Sequence, residues 1–417
     1  MTGISRRLAL SLMAAGLGTG LSTARAQPQP GRPLRKRRPG TGVGMPRFDA
    51  IMEEALEQFQ VVGAALAVAK DGRLVVAKGY GMADVAANEP AVPGTLFCIA
   101  SVTKPLTAVG VLKLVDDGKL QLDAKLVDVL ADLKPLPGKR VVPRFHEITV
   151  RHVLYHAGGW TADNAATDDD TPTVQQSARD EGFKGPMPLE MLYRIALSEQ
   201  LGYEPGTESK YSNFGYLVLR LVIERASGMP YEQYLRERIL FPMGITRMRL
   251  EMKAPDYAPE ESRRYAKGGQ QVFPGGSSMK YGTAGNWISS APELVRFVTA
   301  VDGTRGAPFL SARMTREMLA APRPPYKARK NGSHFGLGWD SVEHDAQGVS
   351  FHKNGGKAGV RAWAEHMANN VDWVVLFNTN PTEPEQGPGL FAFTNRKIRE
   401  TVAEIQRWPD QDLRFVK

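Results

Sequence analysis

A serine and a lysine three residues apart, Ser101 and Lys104, are the pair whose types and spacing could do chemistry. Near the start of a helix, that spacing turns both side chains to one side. Desolvation lowers a lysine's pKa, and the uncharged amine can then take the proton of a serine hydroxyl, otherwise a poor nucleophile. The spacing recurs at Ser277 with Lys280 and at Ser350 with Lys353, so it does not select among the three. Context does. Only Ser101 follows an apolar run, Phe97-Cys98-Ile99-Ala100, and precedes a helical pattern with Val102, Leu106, Val109, Leu112 and Val115 along one side. Ala108 to Leu112 leave that helix nearly apolar all round, so it should be buried, and Asp116-Asp117-Gly118 stops it. Pro105 biases Lys104 away from helical dihedrals and predicts an irregular first turn.

Other reactive-looking groups have plainer readings. His152 and His156 stand four apart, a metal-ligand spacing. No glutamate lies between them and no third ligand is evident, so helix-end packing before Gly158-Gly159 is expected, with no metal and no cofactor. Asp168-Asp169-Asp170 lies in a polar stretch, Trp160 to Pro188, that reads as a long functional rim loop. Consecutive carboxylates rarely converge on one ion, so a solvated loop is expected there. The single cysteine, Cys98, excludes an intrachain disulfide and reads as a small core residue.

The elements that must position Ser101 follow from periodicity. Phe48 to Phe59 has helical spacing, and Val61 to Val68 with Leu74 to Tyr80 reads as a hairpin through Asp71-Gly72. A helix through Tyr216, Leu219, Val222 and Ile223 should close at Gly228. Towards the C-terminus, Phe335 to Trp339, Val349 to His352, Ala362 to Met367 and Trp373 to Asn378 read as strands, and Ile398 to Trp408 as a closing helix. Strands at both ends with helices between predict an α+β fold. One antiparallel sheet would be built from both chain ends (about 47–95 and 286–410), with a mostly helical inserted part (about 96–285).

The chain has 417 residues, 53 lysines and arginines, 44 acids and a formal charge of +9. The nine basic residues in positions 1–48, where there is no acid, carry all of that excess, so the body is neutral and no nucleic-acid footprint is implied. Residues 1–26 read as a secretory signal: Arg6-Arg7, the apolar Leu8 to Leu21, and an A-x-A site at Ala24-Arg25-Ala26. Ser5-Arg6-Arg7-Leu8 resembles a twin-arginine signal, and both export routes stay open. The apolar stretch is too short to span a bilayer, so a periplasmic or secreted protein without a stable membrane span is expected. Residues 27–46 read as a disordered basic linker. Its Arg35-Lys36-Arg37-Arg38 run offers at most weak contact with anionic envelope polymers.

Three segments stand in order: Ser101-Val102-Thr103-Lys104, Tyr211-Ser212-Asn213 (the one Y-x-N in the chain) and Lys353-Asn354-Gly355. This set resembles the S-x-x-K, S-D-N and K-T-G pattern of β-lactamases and penicillin-binding proteins. The tyrosine makes the chain similar to the branch of class C β-lactamases, D,D-peptidases and serine esterases, over roughly residues 48–400. The resemblance implies the β-lactamase/transpeptidase-like fold over about 47–410, with Ser101 as nucleophile and Lys104 as its neighbouring base. It implies Tyr211 as a phenolate or shared-proton base favoured by Lys104 and Lys353, and leaves open which of Lys104 and Tyr211 acts first. Asn213, Lys353, Asn354 and Gly355 would bind substrate, and the backbone amides of Ser101 and Gly356 would form the oxyanion hole. His352, adjacent on the strand, would face the opposite side. Asn354 replaces the hydroxyl residue usual in K-T-G, which in β-lactam-processing relatives helps grip the substrate carboxylate. The expectation is an exported serine hydrolase acting on a small ester, amide or peptide. A true β-lactamase or D,D-carboxypeptidase is the alternative enzyme, and a silent binding homologue the non-enzyme one.

Overall fold

The computed structural model describes residues 40–161, 172–180, 182, 187–252, 256–272, 282–303, 309–323, 325–326, 332–381 and 389–413. The predicted leader, Asp168 to Asp170, and Ser277 with Lys280 lie outside them.

The main sheet is antiparallel throughout and takes its strands from both ends of the chain. Its N-terminal strands are β1 (Thr41–Val43), β2 (Gly63–Lys70) and β3 (Arg73–Asp84). Two small three-stranded-sheet partners, β4 (Phe97–Cys98) and β5 (Arg249–Leu250), flank β6 (Trp287–Ser289) elsewhere in the fold. The C-terminal strands are β7 (Ser341–Asp345), β8 (Gly348–Lys357), β9 (Val360–Met367) and β10 (Val371–Phe377). The main order is β1-β3-β2-β10-β9-β8-β7, so β10 joins the halves by pairing Phe377 with Ala64 and Val371 with Lys70. The β2–β3 turn is the expected one, with Asp71 and Gly72 at φ +48° and +73°, the left-handed pair of a two-residue hairpin.

Strand alternation gives the sheet two unlike faces. Leu66, Val68, Trp363, Trp373, Val375 and Phe377 pack under helices α1 (Pro46–Gln58) and, at the far end of the chain, Leu390–Glu404. The other face presents small residues, Ala65, Ala67, Ala69, Ala362 and Ala364, on which the helical part of the chain rests. There α2 (Thr103–Asp116) is buried from Thr103 to Leu112, as its apolar composition requires. Beside it runs α3 (Asn213–Ser227), capped by the Ser212 side chain on Gly215 N and ended by Gly228 at φ +70°.

Five expectations change. The linker is structured at its end, because Thr41–Val43 pairs with β3 and α1 starts at Pro46. The Trp160 to Pro188 stretch holds a helix, Pro172–Asp180. Phe335 to Trp339 is no strand: Gly338 at φ +95° turns the chain, and the strand follows at β7. The last helix starts eight residues early, at Leu390, and stops at Glu404. Trp287–Ser289, assigned to the sheet part, belongs to the small sheet with the strand that leads into Ser101.

Candidate active site

The chain turns sharply at the serine. After β4, Ala100 adopts φ +43°, a three-residue 3₁₀ turn (Ala100–Val102) carries Ser101, and α2 begins at Thr103. Pro105 does not take Lys104 out of the helix as expected, because it falls in the first helical turn, where its missing N–H costs nothing; the irregular turn lies upstream of it. A non-glycine residue in the left-handed region costs about 1–3 kcal/mol, and the surrounding packing holds it there. Part of that packing is β8: a Cβ on Gly355 would lie 2.5 Å from Ile99 O and 2.9 Å from Ser101 N. Glycine lets the strand touch the serine's backbone.

Lys104 is fully buried, and its Nζ has three partners. Ser101 Oγ lies at 3.2 Å, Asn213 Oδ1 at 2.9 Å and the Ala284 carbonyl at 2.8 Å. Burial, then repulsion from Lys353, holds its pKa well below the usual lysine value, with Asp340 opposing. A neutral amine has two N–H groups and one lone pair. Asn213 Oδ1 and Ala284 O can only accept, so each takes an N–H of Lys104; in the neutral amine these two bonds use both N–H groups and leave the lone pair for Ser101 Oγ.

Tyr211 donates its hydroxyl to Ser101 Oγ at 2.7 Å. The Lys104 and Lys353 ammonium positions lie 4.8 and 4.9 Å from its ring centroid. The residue is 42 % exposed, but its hydroxyl end is turned inward, and burial there pushes the phenol above its ordinary value. The Ser101 hydrogen bond opposes this and Asp340 adds to it. Burial therefore works against the phenolate expected from two neighbouring lysines, and it favours the neutral form of Lys104.

His352 stacks on Trp363 (4.5 Å between centroids), while its neighbour Lys353 reaches the Tyr211 ring, as strand alternation requires. Ser350 takes no part in the cluster: its Oγ accepts from Ala368 N at 3.0 Å. The cavity over Ser101 has a volume of about 660 Å³ and is lined also by Tyr211, Asn213, Lys353, Asn354 and Gly356. All the residues singled out from the three motifs thus meet at one place.

Two participants escaped the sequence reading. Asp340 accepts from Lys353 Nζ at 2.5 Å through Oδ1, and from Asn354 N (3.1 Å) and Nδ2 (2.6 Å) through Oδ2. The Asn354 amide nitrogen therefore faces Asp340, whereas substrate was its expected partner. His156, weighed as a metal ligand or a helix-end residue, sits under Tyr211. Its ring lies 4.6 Å from the tyrosine's, and its Nδ1 accepts from Ser212 N at 3.1 Å. Burial, then Lys104 and Lys353, keep it neutral, as an accepting Nδ1 demands. His152 instead completes a capping box with Thr149. Among the described residues, one other group of donor atoms lies close together, Asp302, His366 and Asp372, buried at the other end of β9 and β10 from this cavity.

The Beta-lactamase family model matches residues 48–391. Esterase EstB of Burkholderia gladioli is 33% identical over 202 residues, 48% of this chain and 50% of that protein. The chain spans half or less of the length of the first curated relatives it matches. Among solved structures, an octameric penicillin-binding protein homologue from Pyrococcus abyssi aligns with a TM-score of 0.66 at 22% identity, covering 88% of this chain and 78% of that one. The D-alanine carboxypeptidase AmpC of Burkholderia cenocepacia aligns with a TM-score of 0.65 at 21% identity, covering 85% and 98%.

Proposed function

The chain belongs to the Beta-lactamase family, and from that premise we propose that it is a serine hydrolase cleaving an ester or amide through an acyl-enzyme on Ser101. The observation that carries this is the buried Lys104 Nζ, 3.2 Å from Ser101 Oγ with two acceptor-only partners, Asn213 Oδ1 and Ala284 O, that would use both N–H groups of the neutral amine and leave its lone pair for the serine. Lys104 takes the serine proton as Oγ attacks the carbonyl carbon. The Ser101 and Gly356 amides receive the oxyanion, at the start of a buried helix. The leaving group departs with the proton of the Tyr211 hydroxyl, which Lys104 replaces. Water then attacks the acyl-enzyme, giving its proton to Lys104, and Ser101 Oγ is reprotonated as the acid leaves. Asn213 holds Lys104 throughout.

Ester or simple amide substrates suit the site better than β-lactams, because Asn354 stands where a carboxylate-gripping hydroxyl is usual and turns its amide to Asp340. The similarity to Esterase EstB supports the same choice. Export, with cleavage after Ala26, belongs to this proposal and predicts a mature protein beginning at Gln27 on N-terminal sequencing.

A fluorophosphonate probe, digested and read by mass spectrometry, should label the peptide containing Ser101. Ser101→Ala should lose labelling and hydrolysis of short aryl esters while its thermal midpoint barely moves, since removing one hydroxyl leaves little cavity. Label on another serine, or full activity in Ser101→Ala, refutes the assignment.

A further inference from the structure

A buried ammonium beside the nucleophile is the natural receptor for an anionic group on the substrate. Lys353 occupies that position, 1 % exposed and lining the cavity with Ser101. Its charge is already answered from within the protein. Asp340 Oδ1 lies 2.5 Å from Nζ, and Asp340 Oδ2 is held by both the backbone and side-chain nitrogens of Asn354. The carboxylate cannot readily swing away, because the turn that carries it is wedged against the nucleophile's helix. A Cβ on Gly338 would lie 2.8 Å from Ala108 Cβ and 3.0 Å from Pro105 Cα, and Asp340 N donates to His352 O at 2.9 Å. A second carboxylate, Glu343, stands exposed on the same lining. Arg361 also lines the cavity, but its Nε donates to Asn380 Oδ1 at 2.7 Å and its guanidinium lies 4.8 Å from the Phe391 ring centroid.

We propose that Asp340 sets the charge selectivity of this site, directing it to neutral acyl groups and against substrates that carry a carboxylate near the scissile bond. This rests on the hydrolase reading above and narrows it to a substrate class. An incoming carboxylate would have to displace Asp340 from Lys353 or share a buried ammonium with it, and like charges brought that close repel strongly in a low-dielectric site. The preference is built into the Lys353–Asp340 pair that lines the pocket, so it acts mainly on KM.

The test compares two nearly isosteric esters, p-nitrophenyl butyrate and mono-p-nitrophenyl succinate. The wild-type protein should favour the neutral ester by at least about tenfold in kcat/KM, carried by KM. In Asp340→Asn, and in Asp340→Ser as a smaller replacement, Lys353 is freed and the preference should move towards the anionic ester by about ten- to a hundredfold. Equal use of both esters by the wild type, or an unmoved preference in a variant that melts as the wild type does, overturns the proposal. Calorimetry with phenylboronic acid and 3-carboxyphenylboronic acid reads the same selectivity without turnover, on the wild type alone if neither variant folds. Loss of all hydrolysis with the neutral boronate still preferred would remove the hydrolase reading and leave this one standing. Equal binding of the two boronates would remove this one.

Discussion

Replacing Lys353 by methionine tests whether Lys104 is the base, through a pH profile more than through a rate. Lys353 is one of the groups that hold the Lys104 pKa down, second to burial. Its distance from Lys104 is bounded by the structure. Both Nζ atoms lie within 5 Å of the Tyr211 ring centroid, at 4.8 and 4.9 Å, so they are at most about 10 Å apart. At an effective dielectric constant of about 20, two unit charges at that separation repel by about 1.7 kcal/mol, equivalent to a little over one pH unit. Removing the Lys353 charge therefore favours protonated Lys104, and the acid limb of kcat/KM, which reports the free enzyme, should move up by about one pH unit. Asp340, left without its partner, pushes the same way. Asp340→Asn should move the limb in the opposite direction, because Asp340 raises the Lys104 pKa. The assay is hydrolysis of a neutral aryl ester from pH 5 to 10 at low and moderate salt. An acid limb that stays fixed in both variants would refute Lys104 as the titrating base.

Tyr211→Phe should lower turnover by about two to four orders of magnitude, with no new alkaline limb in the wild type, since the phenol pKa is raised; a rate rising through pH 9 to 10 would restore the phenolate. Gly355→Ala forces a Cβ to within 2.5 Å of Ile99 O and 2.9 Å of Ser101 N, so kcat should fall by about a hundredfold or more, with a lower thermal midpoint; near-normal kinetics would show that β8 does not set the serine's backbone. Away from the site, His366 lies 2.8 Å from Asp302 and 2.7 Å from Asp372. Burial disfavours its charge, but hydrogen bonds and attraction to the two carboxylates override that and push its pKa up to about 10. A folded pKa above the unfolded 6.5 contributes stability fully present below about pH 6.5 and lost as pH rises towards 10. Melting temperature should fall across that window, and His366→Gln should flatten the slope.

The site was legible in the sequence where local order carries information. Ser101 could be told from Ser277 and Ser350 because an apolar run and a helix flank it, and the β2–β3 hairpin was written in Asp71-Gly72. Asp340 was not legible. It follows two glycines whose turn masks the strand behind it, and its pairing with Lys353 exists only because β7 folds back on β8. His156 stayed ambiguous for the opposite reason: its spacing from His152 suggested a joint role, yet the two rings serve different segments. The Tyr211 protonation state depends on burial, which counting nearby lysines cannot supply.

The pairing of β2 with β10 also governs how the molecule can be made. Ala64 and Phe377, partners in that pairing, are separated by some three hundred residues of chain. Loop closure over such a span is slow, and contacts of this range delay folding far more than local ones. A ribosome must therefore release nearly the whole polypeptide before the sheet can join. Until then the alanine-lined face has no second half, and Ser101 has no strand to lie against. Truncation anywhere before β10 should therefore yield insoluble product, because the alanine-lined face is left without its second half.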